Sequence, residues 1–278
     1  MTVPFGQRLA ETMAARGPLC VGIDPHAGLL TAWGLNADVD GLRRFSDTCV
    51  EAFADVAAVV KPQSAFFEVY GSAGIAVLES TTAALRAAGA LVILDVKRGD
   101  IGSTMDAYAA AYLTPSSPGA SDAITVSPYL GVGSLAPAFD LALEYGNGVF
   151  VLALTSNPEG PQVQHAVRPD GRTVAQSIID ELGDRNGLAV PFGSLGAVVG
   201  ATISPDVSID LSTLNGPFLV PGIGAQGGTV EDVQRIFDGH LKQVLPSVSR
   251  EVLRAGPDVV ALREAVLRVT ESFASVLS

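Results

Sequence analysis

The chain has 278 residues, and 17 Lys and Arg against 29 Asp and Glu give it a formal net charge of −12. Hydrophobic residues make up 48% of the chain, which excludes a disordered protein. The acidic balance argues against a protein that neutralises nucleic-acid phosphates and against a polybasic membrane patch. It does not exclude one small anionic ligand, because such binding depends on local charge.

The sequence carries no pattern typical of secretion or of membrane insertion. Residues 1–17 have an amphipathic helical period without the apolar stretch of a signal peptide. No apolar run reaches the roughly 18 residues that cross a bilayer. Cys20 and Cys49 are too few for a disulfide scaffold and fit buried thiols in a reducing compartment. We therefore expect a soluble cytoplasmic protein with no nucleic-acid or membrane partner.

Strand-like and helical patterns alternate along the whole chain. After an amphipathic N-terminal helix, further helical patterns lie near 42–56, 73–88 and 258–276. The alternation predicts a parallel sheet, and eight such units predict a closed (β/α)8 TIM barrel. The short β-branched and apolar runs are 19–24, 57–61, 91–97, 123–127, 149–156, 197–202, 218–222 and, near 240–246, an eighth.

The fifth unit is longer than the others. Residues 157–173 are rich in Pro, Gly and polar side chains, which is typical of a loop or lid. No composition shift or linker marks a second domain. We expect residues 1–278 to form a single barrel domain with an N-terminal helix and this enlarged loop.

Charged residues recur where the predicted strands end, which is the face where barrels of this kind carry their active sites. Asp24 ends the first run and Lys61 the second. Asp95 and Lys97 are two apart on the third, so their side chains point to the same side, and Asp100 follows in the loop. A lysine between carboxylates stays protonated, which favours a general acid over a Schiff-base nucleophile. A structural ion pair at a strand end explains the same spacing equally well.

A second pattern indicates a phosphate site. The loop 221–228 contains four glycines, so its backbone N–H groups can approach an anion, and Arg250 follows the next strand. Barrels commonly bind phosphate after strands seven and eight, although the glycines alone also fit a tight turn. The glycine spacing is neither a Walker nor a Rossmann motif, and no His or Cys cluster has metal-ligand spacing. We expect no cofactor and no metal.

The segment VILDVKRGDIGST (92–104) resembles the signature of the orotidine 5′-phosphate decarboxylase family, in particular its longer bacterial branch. The pattern is an apolar strand followed by Asp-x-Lys-x-x-Asp-Ile-Gly-x-Thr. Further similar blocks extend the resemblance over nearly the whole chain: VGIDPH (21–26), VKPQSAFFE (60–68), TSNPEG (155–160), PGIGAQGG (221–228) and SVSREV (247–252).

This resemblance implies a cofactor-independent decarboxylation of orotidine 5′-monophosphate (OMP) to UMP in de novo pyrimidine biosynthesis, with Lys97 protonating the C6 carbanion. It further implies a homodimer with shared active sites, in which Asp100, Ile101 and Thr104 enter the partner's site. The implied catalytic residues are Lys97, Asp95, Asp100 and Lys61, and the implied substrate-binding residues are Asp24, Ile101, Thr104, Ser156, Gln226 and Arg250.

Two alternatives remain at this stage. Sugar-phosphate decarboxylases and hexulose-phosphate synthases share the Asp-x-Lys-x-x-Asp array but use Mg²⁺, for which acidic ligands are expected after the second strand. Lys61, Pro62 and Gln63 stand there instead, which disfavours a divalent ion. The other alternative is a nucleotide-binding barrel that has lost catalysis, against which the complete Asp95, Lys97 and Asp100 set speaks.

Overall fold

The barrel consists of eight parallel strands that pair in chain order and close between the last and the first. The computed structural model describes residues 2–203, 209–224 and 227–277. The predicted (β/α)8 TIM barrel is confirmed. The strands are β1 (Cys20–Ile23), β2 (Val59–Pro62), β3 (Leu91–Arg98), β4 (Ala123–Val126), β5 (Gly148–Leu154), β6 (Leu195–Val199), β7 (Phe218–Val220) and β8 (Val244–Val248).

Helices surround the barrel and cover the outward-facing side chains of its strands. None of the helices in the described ranges is long and apolar enough to cross a membrane. The helices are α1 (Phe5–Arg16), α2 (Ala27–Ala32), α3 (Val39–Phe53), α4 (Ser64–Glu68), α5 (Gly71–Ala87), α6 (Gly102–Leu113), α7 (Ala136–Tyr145), α8 (Pro161–Gln164), α9 (Val174–Asn186), α10 (Val230–Ile236), α11 (Arg250–Leu253) and α12 (Val259–Leu277).

The eighth strand differs from the prediction. The sequence pattern placed it near 240–246, whereas β8 covers Val244–Val248 and residues Leu241–Gln243 form a 3-10 turn before it. Pro246 has no N–H to donate, which makes it a natural end for a predicted strand. In the barrel it lies where the pairing of β8 passes from β7 to β1, since Val220 pairs with Pro246 and Cys20 with Ser247.

The amino-terminal end of the barrel is filled by α1. Phe5 is fully buried and contacts Phe150 edge to face, with ring centroids 5.9 Å apart. Gly148 makes room for it, because a Cβ there would lie 2.4 Å from the Phe5 ring. Arg8 of α1 fixes the helix by donating to Asp122 Oδ1 at 2.7 Å. The apolar plug leaves the opposite end, at the carboxyl ends of the strands, as the place where polar side chains gather.

The enlarged loop 157–173 has structure of its own. It contains the short helix α8 and an antiparallel bridge between Val167 and Thr173. Gln164 of α8 anchors the loop to the end of β5, because it accepts from the Thr155 N–H at 2.8 Å and donates to the Thr155 hydroxyl at 2.7 Å. The loop therefore rests beside the barrel mouth.

Candidate active site

The carboxyl ends of the strands surround a cavity of about 460 Å³. Strands far apart in the sequence supply its polar lining because the closed barrel brings all their ends to one rim. Five of the residues predicted from the sequence line it, namely Asp24, Lys61, Asp95, Lys97 and Arg250.

The carboxylate of Asp95 is the centre of the polar network in this cavity. Its Oδ2 accepts from Lys61 Nζ at 2.8 Å, and its Oδ1 accepts from Lys97 Nζ at 2.5 Å. Thr125 Oγ1 donates to Oδ1 at 2.8 Å. With the amide of Gln63 oriented so that both of its polar atoms are satisfied, its nitrogen donates to Oδ2 at 2.9 Å. Each carboxylate oxygen thus accepts two hydrogen bonds.

The two lysines keep this buried carboxylate charged. Burial by itself raises the pKa of Asp95, but Lys61 and Lys97 outweigh it and hold the pKa well below its usual range. Burial likewise lowers the pKa of Lys61, and the attraction of Asp95 and Asp24 reverses this and raises it. Asp95 is therefore an anion and Lys61 a cation at neutral pH. The Lys97 side chain is 42% exposed, so its ammonium group reaches into the open cavity.

The backbone of Lys97 has a left-handed conformation, with φ of 46°. Residues with a Cβ rarely adopt it, because the side chain crowds the backbone. The pairing of β3 with β4 shifts register between Leu94 and Arg98, so the irregularity lies at the segment that carries Asp95 and Lys97. Asp95 and Lys97 do meet, as their spacing predicts, but on a bent strand end and not on a regular strand.

Two network residues escaped the sequence analysis. Thr125 stands inside a β-branched strand run, where a threonine is expected to pack against its neighbours. Gln63 directly follows β2, and its position after a strand end beside Lys61 was a signal for a site residue. Its amide oxygen also accepts from Lys97 Nζ at 3.3 Å in the satisfied orientation.

The ends of β1 and β8 approach closely beside the lysines. A Cβ added to Gly22 would lie 2.8 Å from Ser249 Cβ and 3.3 Å from Asp24 Oδ1. Asp24 Oδ1 and Ser249 Oγ are buried and have no hydrogen-bond partner among the described residues. Both residues line the cavity. Because residue 22 is a glycine, the side chains of Asp24 and Ser249 can lie side by side. Their oxygens can then hydrogen-bond polar groups of a ligand.

Three predicted residues lie outside the cavity lining of their own chain. Asp100 accepts a hydrogen bond from the neighbouring Ile101 N–H at 2.8 Å. The Ile101 side chain is 62% exposed, although it is large and apolar, and Thr104 is exposed on the first turn of α6. The three residues follow β3 in one segment, in which Asp100 is half-buried and the other two are exposed.

The two remaining predicted residues have different outcomes. Ser156 is exposed and packs against Gly200, whose added Cβ would lie 3.2 Å from Ser156 Oγ. Its neighbours Thr155 and Asn157 line the cavity, while Ser156 is not among the lining residues. Gln226 lies outside the described residues.

The described part of the chain contains no group of three or more His, Cys, Asp and Glu side chains that could hold a metal ion. The donor set of the cavity points the same way, since two ammonium groups face the buried carboxylate. Such a set suits an anionic ligand whose charge is complementary to lysine and arginine.

Comparison with known proteins identifies the family. The model of the orotidine 5′-phosphate decarboxylase / HUMPS family matches residues 17–265. The chain belongs to this family. Orotidine 5′-phosphate decarboxylases of Salinispora arenicola and Streptomyces coelicolor are 64% and 63% identical to it over 265 residues, which are 95% of this chain and 95% of each relative. The family resemblance read from the sequence is confirmed.

Solved structures agree over the whole chain. A crystal structure from Streptomyces avermitilis that is assigned to orotidine 5′-phosphate decarboxylase superposes with a TM-score of 0.97 at 60% identity, covering 100% of this chain and 97% of that one. The OMP decarboxylase of Leishmania donovani superposes with a TM-score of 0.76 at 30% identity, covering 99% of both chains. These two superpositions therefore extend over the N-terminal helix and the enlarged loop of this chain as well as its barrel.

Proposed function

We propose that the protein decarboxylates OMP to UMP, with Lys97 protonating C6 of the pyrimidine. The enzyme class, a carboxy-lyase of pyrimidine biosynthesis, rests on the family and on the relatives. The observation that carries the residue-level proposal is the contact of Lys97 Nζ with Asp95 Oδ1 beside the open cavity.

The chemistry follows from the charges around Lys97. The C6–CO₂ bond breaks and its electron pair stays on C6, where no ring position can delocalise it. The Lys97 ammonium group stabilises this carbanion electrostatically and then donates the proton that forms the new C6–H bond. Water returns a proton to the lysine. Asp95 holds the ammonium group and lies near the departing carboxylate, which it repels.

The remaining predicted residues bind the rest of the substrate. Asp24 accepts hydrogen bonds from ribose hydroxyls. Lys61 belongs to the same charged network, because its ammonium group is attracted by the Asp24 carboxylate. Arg250 contributes a planar, always charged fork for the 5′-phosphate, together with the glycine loop and Gln226. Ser156 hydrogen-bonds the pyrimidine. The 5′-phosphate lies far from C6, so its binding energy serves to close the loop 157–173 over the site.

We propose a homodimer whose active sites are shared between the subunits. The segment after β3 with Asp100, Ile101 and Thr104 supports this, because none of the three lines the cavity of its own chain and the last two are exposed. Tyr129, on the neighbouring loop after β4, is 81% exposed and adds apolar surface. In the dimer, Asp100 of each subunit completes the charged array of the other.

The cellular setting is also part of the proposal. We place the reaction in the cytoplasm, with OMP as the partner and no cofactor, nucleic acid or membrane involved. Residues 1–278 act as a single barrel domain, with the loop 157–173 as its lid. The acidic composition and the short apolar runs support this assignment.

The decisive experiment is an absorbance assay with purified protein and OMP, run with and without a chelator. The proposal expects the OMP absorbance to fall at the same rate in both. Strict dependence on added Mg²⁺ would favour the sugar-phosphate branch instead. Tight UMP binding without any loss of OMP absorbance would identify a nucleotide-binding barrel without catalysis.

A further inference from the structure

Thr125 connects the two catalytic groups of the site through a single hydroxyl. Its Oγ1 donates to Asp95 Oδ1 at 2.8 Å and accepts from the Lys97 backbone N–H at 3.0 Å. The side chain is 1% exposed, so water does not compete for these bonds. We propose that Thr125 is a positioning residue for the reaction, which fixes the Lys97 ammonium group by holding both its backbone and its carboxylate partner. This inference rests on the proposed function of Lys97.

The backbone of Lys97 needs such support. At φ of 46° it has left the conformations that a residue with a Cβ prefers, so surrounding contacts must maintain it. Two hydroxyls of the β4 segment bind its peptide groups. Thr125 accepts from the Lys97 N–H, and Ser127 Oγ donates to the Lys97 carbonyl oxygen at 3.1 Å. The N–H and the carbonyl group of Lys97 are thus both hydrogen-bonded to side chains of the β4 segment.

The direction of one hydrogen bond of the Thr125 hydroxyl fixes the direction of the other. A hydroxyl has one proton, and because this proton points to Asp95, a lone pair remains for the Lys97 N–H. The β-branched side chain has few χ1 rotamers, which limits the positions of Oγ1. Ala123, two residues earlier on β4, packs in the barrel interior, so Thr125 shares the inward face. The strand therefore presents the hydroxyl in one orientation.

Asp95 Oδ1 completes the chain of contacts. It accepts from both Thr125 Oγ1 and Lys97 Nζ, so the hydroxyl and the ammonium group share one oxygen. When the hydroxyl is removed, the carboxylate can turn and the lysine backbone can relax, and the ammonium group moves away from C6. Arg250 and Asp24, which bind the substrate in the proposal, follow β8 and β1 and share no hydrogen bond with Thr125 of β4. The loss is therefore expected in kcat and not in KM.

The test compares wild type with Thr125→Val, which keeps the shape and removes the hydroxyl, and Thr125→Ser, which keeps the hydroxyl. Thr82→Val is the matched control, since Thr82 is buried and its Oγ1 has no partner among the described residues. We expect Thr125→Val to lower kcat roughly tenfold or more, as for a lost hydrogen bond to a charged group. KM should change less than about threefold, and Thr125→Ser and Thr82→Val should stay within about threefold of wild-type kcat.

Each result decides the matter. A Thr125→Val kcat that falls by less than about tenfold from wild type overturns the inference, as does an equal loss in Thr125→Ser or a loss confined to KM. Wild-type protein without OMP decarboxylation refutes the proposed function itself, so the two failures are distinguishable. Calorimetric titration with UMP verifies that each variant is folded with an intact site. Should Thr125→Val fail to fold, Thr125→Ala removes the same hydroxyl and carries the same expectation.

Discussion

Lys61 Nζ lies 2.8 Å from Asp95 Oδ2, and the two side chains are only 10% and 8% exposed. Lys61→Met leaves the buried Oδ2 of Asp95 without its ammonium partner, so it should lower the free energy of unfolding by about 3 kcal/mol, although Lys97 still pairs with Oδ1. Arg263→Met is the control, because Arg263 pairs with Asp55 at an exposed site and should lose less than about 1 kcal/mol. Urea unfolding of both variants measures the difference. Equal losses would contradict the claim that burial makes this pair important.

The same network predicts a pH dependence of stability. The pKa of Asp95 is lowered in the folded state, so its contribution is present above its usual value of 3.8 and is lost as pH falls below it. The pKa of Lys61 is raised, so its contribution is present below its usual value of 10.5 and is lost as pH rises beyond it. Between about pH 4 and 2 the free energy of unfolding should therefore fall more steeply with decreasing pH for wild type than for Asp95→Asn. If the free energy of unfolding depended on pH equally in both proteins, other carboxylates would control acid unfolding.

Arg250 should act on the phosphate and not on the chemistry. Arg250→Ala is expected to raise KM for OMP roughly tenfold or more, because it removes a charge-assisted contact to a dianion. The affinity for orotidine, which lacks the phosphate, should stay within about twofold of wild type. Arg254→Ala, four residues along and exposed, serves as the control for a lost arginine. An equal loss of orotidine binding would place Arg250 elsewhere on the substrate.

The shared site can be tested by mixing inactive subunits. Lys97→Ala and Asp100→Ala should each be inactive alone. In a mixed dimer, one of the two sites combines an intact Lys97 with an intact Asp100 of the other chain. Under free subunit exchange about a quarter of all sites should recover. Activity that stays at the level of the separate variants would show that Asp100 does not serve the other subunit.

The sequence predicted the parts of the site that have a linear pattern. Asp24, Lys61, Asp95 and Lys97 were predicted because each lies at the end of an apolar strand-like run. Such an end can be recognised from consecutive residues alone. Thr125 was missed because its role depends on the register between β3 and β4, and a threonine in a strand is ordinary. The approach of Asp24 and Ser249 was missed as well, since it needs β1 beside β8, more than 200 residues apart.

The boundaries of β8 show the same limit. The alternating residues near 240–246 have strand character, but barrel closure decides which of them pair. Because Ser247 and Val248 pair with β1, the strand continues past Pro246. Local preference alone could not show this, since the partner strand lies at the other end of the chain.

At Lys97 the residue that best fits the backbone differs from the residue that the proposed reaction needs. A glycine at position 97 would adopt φ of 46° without steric crowding, whereas an alanine would keep the crowding and lose the amine as well. Of two inactive variants, Lys97→Gly should therefore unfold at a higher urea concentration than Lys97→Ala. Lysine at this position is thus less favourable for folding than glycine would be, and the proposed function of its amine accounts for its presence.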